Sequence, residues 1–161
     1  ASGYYVYRKP ATGGSWSKIA TLKSSVLQYK DSKVTANASY RYTVRAYYQA
    51  NGKNYLSKYT TGPVIKAAPA LQKVSSVKSE KNGIRIRWKS QKKCDGYYIY
   101  RKKKGGSYQL IRKISDKNFS SYLDKKAQKG VSYYYAVKAY VKEPYGNTYS
   151  KYKSSSAVKR K

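Results

Sequence analysis

The chain has 161 residues, and its 36 Lys and Arg against 6 Asp and Glu give a formal net charge of +30. It contains no histidine, which removes Ser-His-Asp and Cys-His nucleophilic arrangements and the commonest zinc ligand. A single cysteine, Cys94, excludes an internal disulfide, and no run of about 20 apolar residues is present to span a membrane as a helix.

Hydrophobic residues make up 40% of the chain, but 22 of them are Tyr, with 2 Trp and 1 Phe. Tyrosine with Val, Ile and Thr suits pleated, half-buried surfaces. In chain order, strands are predicted near 3–9, 15–22, 26–30, 39–49 and 54–65, with Gly13-Gly14 and Asn51-Gly52 at turns. These form a first domain over 1–66, and residues 67–70 (Ala-Ala-Pro-Ala) read as a short linker. A second domain over 71–161 is predicted to hold seven strands, near 71–78, 83–89, 95–102, 107–114, 118–123, 131–142 and 148–159. Asn82-Gly83 and Gly105-Gly106 stand where tight turns belong, and Gly146-Asn147 precedes the last strand. Residues 125–129, followed by Gly130, read as a turn rather than a helix.

The two parts repeat each other at an offset of 93 residues. Gly3-Tyr4-Tyr5-Val6-Tyr7-Arg8 returns as Gly96-Tyr97-Tyr98-Ile99-Tyr100-Arg101, the segment around Tyr40-Arg41-Tyr42 as Tyr133-Tyr134-Tyr135, and Ser57-Lys58-Tyr59 as Ser150-Lys151-Tyr152. That period is too long for a solenoid and about the size of one small all-β domain. Residues 1–66 carry 11 basic residues and 1 acidic one, a net of +10; residues 67–161 carry 25 and 5, a net of +20.

The second copy resembles a bacterial extracellular fibronectin type III domain. The resemblance rests on Trp88 late in the second strand, on Gly96-Tyr97-Tyr98-Ile99-Tyr100-Arg101 as the third, and on Tyr133-x-Tyr135-x-Val137-x-Ala139 as the sixth, which carries the family's tyrosine corner. It implies an all-β architecture of tandem immunoglobulin-like sandwiches, with Trp88, Tyr97, Ile99, Tyr135 and Val137 in the second core. It also implies a spacer in surface adhesins, cell-wall enzymes or polysaccharide hydrolases, located outside a bacterial cell, at its surface or wall. The first copy lacks counterparts of residues 71–89, so its first two strands are absent from the sequence. The expectation is that a longer polypeptide supplies them, or that a neighbouring molecule donates them by β-strand complementation to build a fibre, an adhesin subunit or an intertwined homo-oligomer.

Candidate catalytic and metal residues are sparse. Cys94, between Lys93 and Asp95, has no histidine to activate it. The repeat-equivalent Asp31 and Asp124 are expected to accept hydrogen bonds at turns. The glycine pairs do not open a helix through Gly-Lys-Ser/Thr, so they are no phosphate loop. No catalytic residue, metal site or cofactor is assigned.

Alternation sorts the remaining candidates by face. In the first copy Tyr5, Tyr7, Arg41, Arg45 and Tyr47 are expected to point outward. In the second, Tyr98, Tyr100, Tyr134, Lys138 and Tyr140 are expected to do so, flanked by Arg101, Lys102, Lys103 and Lys104. Arg85 and Arg87 are expected on the other sheet. Tyrosines among cations can stack on rings and hold anionic groups. The predicted partner is therefore an anionic cell-wall polymer, an acidic glycan or mucin. Nucleic acid is the further alternative, without any RNA-recognition, zinc-finger, homeodomain or cold-shock signature to support it.

Overall fold

Alternating residues become strands only where a partner strand is present to take their backbone hydrogen bonds. The computed structural model describes residues 1–144 and 146–161, and every regular element among them is a β-strand. The chain divides into two units, Ala1–Ala67 and Ala68–Lys161.

The first unit contains β1 (Gly3–Pro10), β2 (Ser17–Lys23), β3 (Ser39–Ala50), β4 (Lys53–Leu56) and β5 (Ile65–Lys66). They form one antiparallel sheet in the order β2-β1-β3-β4, with β5 also beside β3. The second unit contains β6 (Gln72–Glu80), β7 (Gly83–Trp88), β8 (Gly96–Lys103), β9 (Gln109–Ile114), β10 (Ser121–Asp124), β11 (Ser132–Glu143), β12 (Gly146–Tyr149), β13 (Tyr152–Lys153) and β14 (Val158–Lys159). One sheet runs β12-β11-β8-β9 with β14 beside β11, and the other runs β10-β7-β6-β13. Together they make an immunoglobulin-like sandwich.

The first unit's sheet reproduces the β12-β11-β8-β9 sheet in order and register. Val6 faces Val44 as Ile99 faces Val137. Even the bulges correspond, falling between Val6 and Tyr7 and between Ile99 and Tyr100. What differs is the cover. In the second unit β6 and β7 bring Val74, Val77, Ile84, Ile86 and Trp88 against Tyr97, Ile99, Tyr135 and Val137. The Trp88 and Tyr97 rings lie 5.3 Å apart. The five expected core residues are buried. In the first unit no such layer is present among the described residues. Val44 is 52% exposed where Val137 is 0%, and Val26, Leu27 and Tyr29 are also exposed.

Three predicted boundaries are corrected by the same logic. Residues 26–30 form no strand. Their counterpart β10 pairs with β7, and the first unit has no strand equivalent to β7 among the described residues. The predicted strand 54–65 reduces to β4 and β5. The predicted strand 148–159 splits into β12, β13 and β14. Ser150 interrupts it by exchanging bonds with Ala139: its amide donates to the Ala139 carbonyl (2.9 Å), and its Oγ accepts from the Ala139 amide (3.0 Å). Beyond that break Tyr152–Lys153 pairs in parallel with β6 in the other sheet.

A polar node crosses the second core. Asp124 is 2% exposed, yet its Oδ2 accepts from Arg101 Nη1 (2.8 Å) and from the Tyr135 hydroxyl (2.8 Å), while Oδ1 accepts from the Lys126 amide (3.1 Å). The first unit repeats it. Asp31 Oδ2 accepts from Arg8 Nη1 (2.8 Å) and the Tyr42 hydroxyl (3.0 Å), and Oδ1 from the Lys33 amide (3.0 Å). Burial alone would raise the Asp31 carboxyl, but the Lys33 amide, Arg8 and Tyr42 together hold it below its ordinary value. The tyrosine corner is also present twice: the Gln128 amide donates to the Tyr133 hydroxyl, and the Thr35 amide to that of Tyr40, both at 3.1 Å.

Two outcomes are expected. Val137→Ala should cost about 2 kcal/mol and Val44→Ala less than about 1, since only the first empties a closed core; urea unfolding of the two variants measures the difference. Burial raises the phenols of Tyr42, Tyr97 and Tyr135, and the Asp124 and Asp31 carboxylates add to the rise for Tyr135 and Tyr42. A raised phenol favours its neutral form in the fold. The stability it contributes is present below the ordinary value of about 10 and is lost as pH climbs through the folded value. Ultraviolet titration should therefore show these tyrosines ionising only together with alkaline unfolding.

Candidate polyanion-binding face

The outward face of the β12-β11-β8-β9 sheet is set by register. Lys102 opposes Tyr134, Tyr100 opposes Ala136, and Tyr98 opposes Lys138. Diagonal neighbours on such a face are within reach of long and aromatic side chains. The result is a lattice of cations over rings. Lys102 Nζ lies 5.1 Å from the Tyr108 ring centroid and 5.5 Å from that of Tyr134. Lys138 Nζ lies 5.3 Å from Tyr100 and 5.2 Å from Tyr152. Lys113 Nζ lies 5.2 Å from Tyr98. The Tyr108 and Tyr152 rings meet edge to face at 5.8 Å, and the Tyr108 hydroxyl and Ser154 Oγ share a hydrogen bond of 2.9 Å. Burial raises the Tyr100 phenol.

The first unit builds the same pattern from partly different residues. Lys9 Nζ lies 5.1 Å from the Trp16 ring, and the Arg45 guanidinium 5.5 Å from Tyr59. Trp16 and Tyr59 meet edge to face at 6.1 Å. Tyr5 and Tyr47 stack at 4.4 Å with 17° between their planes, and Lys18 Nζ sits 4.2 Å above Tyr5. Asn54 Nδ2 donates to the Tyr5 hydroxyl as Asn147 Nδ2 does to that of Tyr98.

Alternation thus brings Tyr98, Tyr100, Lys102, Tyr134 and Lys138 together, and Tyr5 with Tyr47 and Arg45 on the other unit's face. Tyr7 joins it edge to face with Tyr5 at 6.4 Å. Arg41 stands opposite Lys9 and donates from Nη1 to the Gly62 carbonyl at 3.2 Å. Lys103 Nζ donates to Gln128 Oε1 at 3.3 Å, and Lys104 is exposed at the turn.

Some expectations require correction. Arg101 turns inward, with its guanidinium 4.9 Å from the Tyr133 ring and its charge met by Asp124; Arg8 does the same with Tyr40 and Asp31. Tyr140 is only 3% exposed, because Tyr98 and Tyr149 close over it at 5.1 and 6.4 Å. Arg85 and Arg87 lie on β7 in the other sheet, where Arg85 pairs with Glu80 at 3.1 Å and holds that carboxyl below its ordinary value. Arg87 is exposed.

Trp16, Tyr59, Tyr108 and Tyr152 are members of the face that strand alternation does not reveal, whereas Lys9 follows Tyr5 and Tyr7 by the same alternation on β1. Those four lie in loops or on the short β13. One signal for them is present in the sequence, since Tyr59 and Tyr152 end the repeated Ser-Lys-Tyr.

The carboxylates have structural partners: Asp31 and Asp124 sit in the nodes, Glu80 pairs with Arg85, Asp95 accepts from the Lys142 amide, and Asp116 accepts from the Asn118 amide. No group of three or more His, Cys, Asp or Glu that could hold a metal occurs among the described residues. Cys94 is buried and lies 3.3 Å from the Gln91 carbonyl, a weak thiol hydrogen bond within its loop. No helix among the described residues is long and apolar enough to cross a membrane.

No protein-family model matches the sequence, and no curated protein matches it. Solved structures do. The chain is similar to the FN1–FN3 domains of chicken CNTN1, with 22% identity over 99% of this chain and a TM-score of 0.51. It spans 56% of the length of that chain. It is also aligned over 98% of its length with a two-domain fibronectin type III segment of chicken tenascin, covering 83% of that segment at 16% identity and a TM-score of 0.44. The likeness to the first, with the strand order above, shows a fibronectin type III-like fold.

The face depends on one close backbone approach. A Cβ on Gly96 would run into the Ile114 carbonyl of β9 and lie 2.9 Å from the Tyr140 ring, and Gly3 stands in the same relation to Leu22 and Tyr47. Gly96→Ala should destabilise the second unit by about 1–3 kcal/mol through overpacking. Urea unfolding reads the loss, and near-ultraviolet circular dichroism reads the displaced tyrosine cluster.

Proposed function

We propose that the chain is a noncatalytic module of an extracellular bacterial surface or cell-wall protein, one that spaces or displays its neighbours and holds anionic polymers against its sheet faces. The observation that carries this reading is the lattice of lysines and arginines over tyrosine rings, present on both units of a chain with a net charge of +30. Solubility alone needs a net charge of only about 2–8 for a small domain. Cations of one sign concentrated on an aromatic face attract a polyanion and release its counterions on contact. A cell-wall polymer, an acidic glycan or a mucin supplies such charge in a repeating chain.

The test is affinity for teichoic acid and for a sulfated glycan, each against an uncharged glycan of similar length, across a salt series. Affinity for the anionic chains should fall by at least about tenfold between roughly 50 and 200 mM salt. Equal affinity for charged and uncharged chains would remove the reading.

The open inner face of the first unit favours a second reading, that of a fibre or adhesin subunit. There Val44 is 52% exposed on a sheet whose counterpart in the second unit is covered by β6 and β7, and Leu27, in the loop before Asp31, is 80% exposed. Strands supplied from a longer polypeptide or from a neighbouring molecule would bury this surface. Sedimentation across a concentration series separates the two sources: donation by neighbours gives association that Val44→Lys abolishes, and a single monomeric species at every concentration rules it out.

A further inference from the structure

The geometry points to one saccharide subsite in each unit for an acidic sugar chain, built from Lys9, Trp16, Arg45 and Tyr59 in the first and from Lys102, Tyr108, Lys138 and Tyr152 in the second. This rests on the polyanion reading above and assigns it to particular residues and a particular class of polymer.

Three observations lead to it. The first is recurrence of an arrangement through different residues. Trp16 and Tyr59 meet at 79° between planes, and Tyr108 and Tyr152 at 81°. One cation stands against each member of each pair, at 5.1 and 5.5 Å in the first unit and 5.1 and 5.2 Å in the second. The chemistry is the same although Trp replaces Tyr and Arg replaces Lys. Structural packing of a sheet face needs no such pairing of cation and ring at the same places.

The second is the shape of the ring pair. Two rings near 80° to each other leave no parallel slot into which a nucleic-acid base could slide. They present a face beside an edge. The weakly positive C–H groups of a pyranose suit the negative face of an aromatic ring, and the acid group of the sugar meets the cation that stands over that face.

The third is the spacing and availability of charge. Lys102 stands opposite Tyr134 and Lys138 lies four residues further along β11, about 13 Å of strand. Lys9 stands opposite Arg41, with Arg45 four residues further along β3. Two cations separated along a strand, with rings between them, match a chain carrying one acid group on each of several sugars better than a compact phosphate clamp. Arg8 and Arg101, next to Lys9 and Lys102 in sequence, are held inward by Asp31 and Asp124 and do not compete for the ligand.

The test uses the full chain and a hexamer of galacturonic acid, with its fully methyl-esterified, uncharged form as the comparison. Titration calorimetry at low salt should give two hexamers per chain and no binding of the ester. Trp16→Ala and Tyr108→Ala alter no charge. Each should remove one of the two binding events or weaken it by more than about tenfold, and the double variant should lose both. Tyr59→Leu and Tyr152→Leu repeat the test with a bulkier replacement, and folding of each variant is checked by its urea midpoint. If correctly folded variants bind the hexamer as the parent does, the subsites are overturned, while steep salt-dependent binding of long polyanions leaves the broader reading standing. If a single-stranded oligonucleotide of equal charge binds with the same stoichiometry and the same variants abolish it, the assignment to sugars is overturned. If neither hexamer nor long polyanion is preferred to its uncharged counterpart, both readings fall.

Discussion

The carboxylate of Asp124 holds three segments to one point. It comes from β10 in one sheet and accepts from Arg101 of β8 and Tyr135 of β11 in the other. Replacing such a buried pair by apolar residues is often neutral or stabilising, whereas removing one partner leaves a buried charge unpaired and is costly. Its contribution is therefore better sought in register than in net stability. With Arg101 drawn inward, strand alternation obliges Tyr100 and Lys102 to face outward, and a slip by one residue would invert the whole set. The same node in the first unit joins Asp31 to Arg8 and Tyr42, although residues 26–30 beside it form no strand. The node thus needs only β1, β3 and the loop that carries the aspartate. It sets the outward face of the first unit even where the covering sheet is absent among the described residues.

That separation explains which parts of the fold are legible in the sequence. The long strands around Tyr97–Ile99 and Tyr135–Val137 have strict alternation and strong β-propensity, and they form where expected. Residues 26–30 carry Val26, Leu27 and Tyr29 and read as a strand, but propensity alone cannot supply the partner that β7 gives to β10. The final segment reads as one strand because its residues are individually suitable. Its division arises from serine side chains that take over ladder bonds. Ser150 accepts from the Ala139 amide and Ser155 from the Tyr135 amide, and Ser57 does so from the Ala46 amide in the first unit. Side-chain competition with the backbone is local chemistry that a period-two pattern does not register.

The site is legible to the same degree and for the same reason. Residues in regular strands, such as Tyr98, Tyr100, Lys102 and Lys138, can be assigned to a face by counting. Tyr140 can be assigned to the right face but not to the right depth, because its burial comes from Tyr98 and Tyr149 folding across it. Reading four consecutive basic residues as one patch misplaces Arg101, since the first of them obeys the alternation and points into the core. Trp16, Tyr108 and Tyr152 reach the face from outside the long strands, so only tertiary placement reveals them.

The arrangement of cations over rings also bears on why charge, rather than stacking alone, would govern recognition. Rings on the face of each unit already have an ammonium or guanidinium at 4.2–5.5 Å. At an exposed site such an interaction contributes about 0.5–1 kcal/mol, which is enough to bias a long side chain toward the face without immobilising it. An approaching ligand therefore meets the cations at or before the rings. An uncharged sugar must displace a lysine to reach aromatic carbon and gains nothing from its charge. An acidic sugar can draw the same lysine sideways into an ion pair and uncover the ring in one movement. The new ion pair then offsets the cost of lifting the cation off the ring, and its strength declines as salt screens it. On the proposed function, the lattice would couple ring access to the presence of an anion, and this coupling would give a chain so rich in tyrosine a physical means of discriminating against neutral glycans.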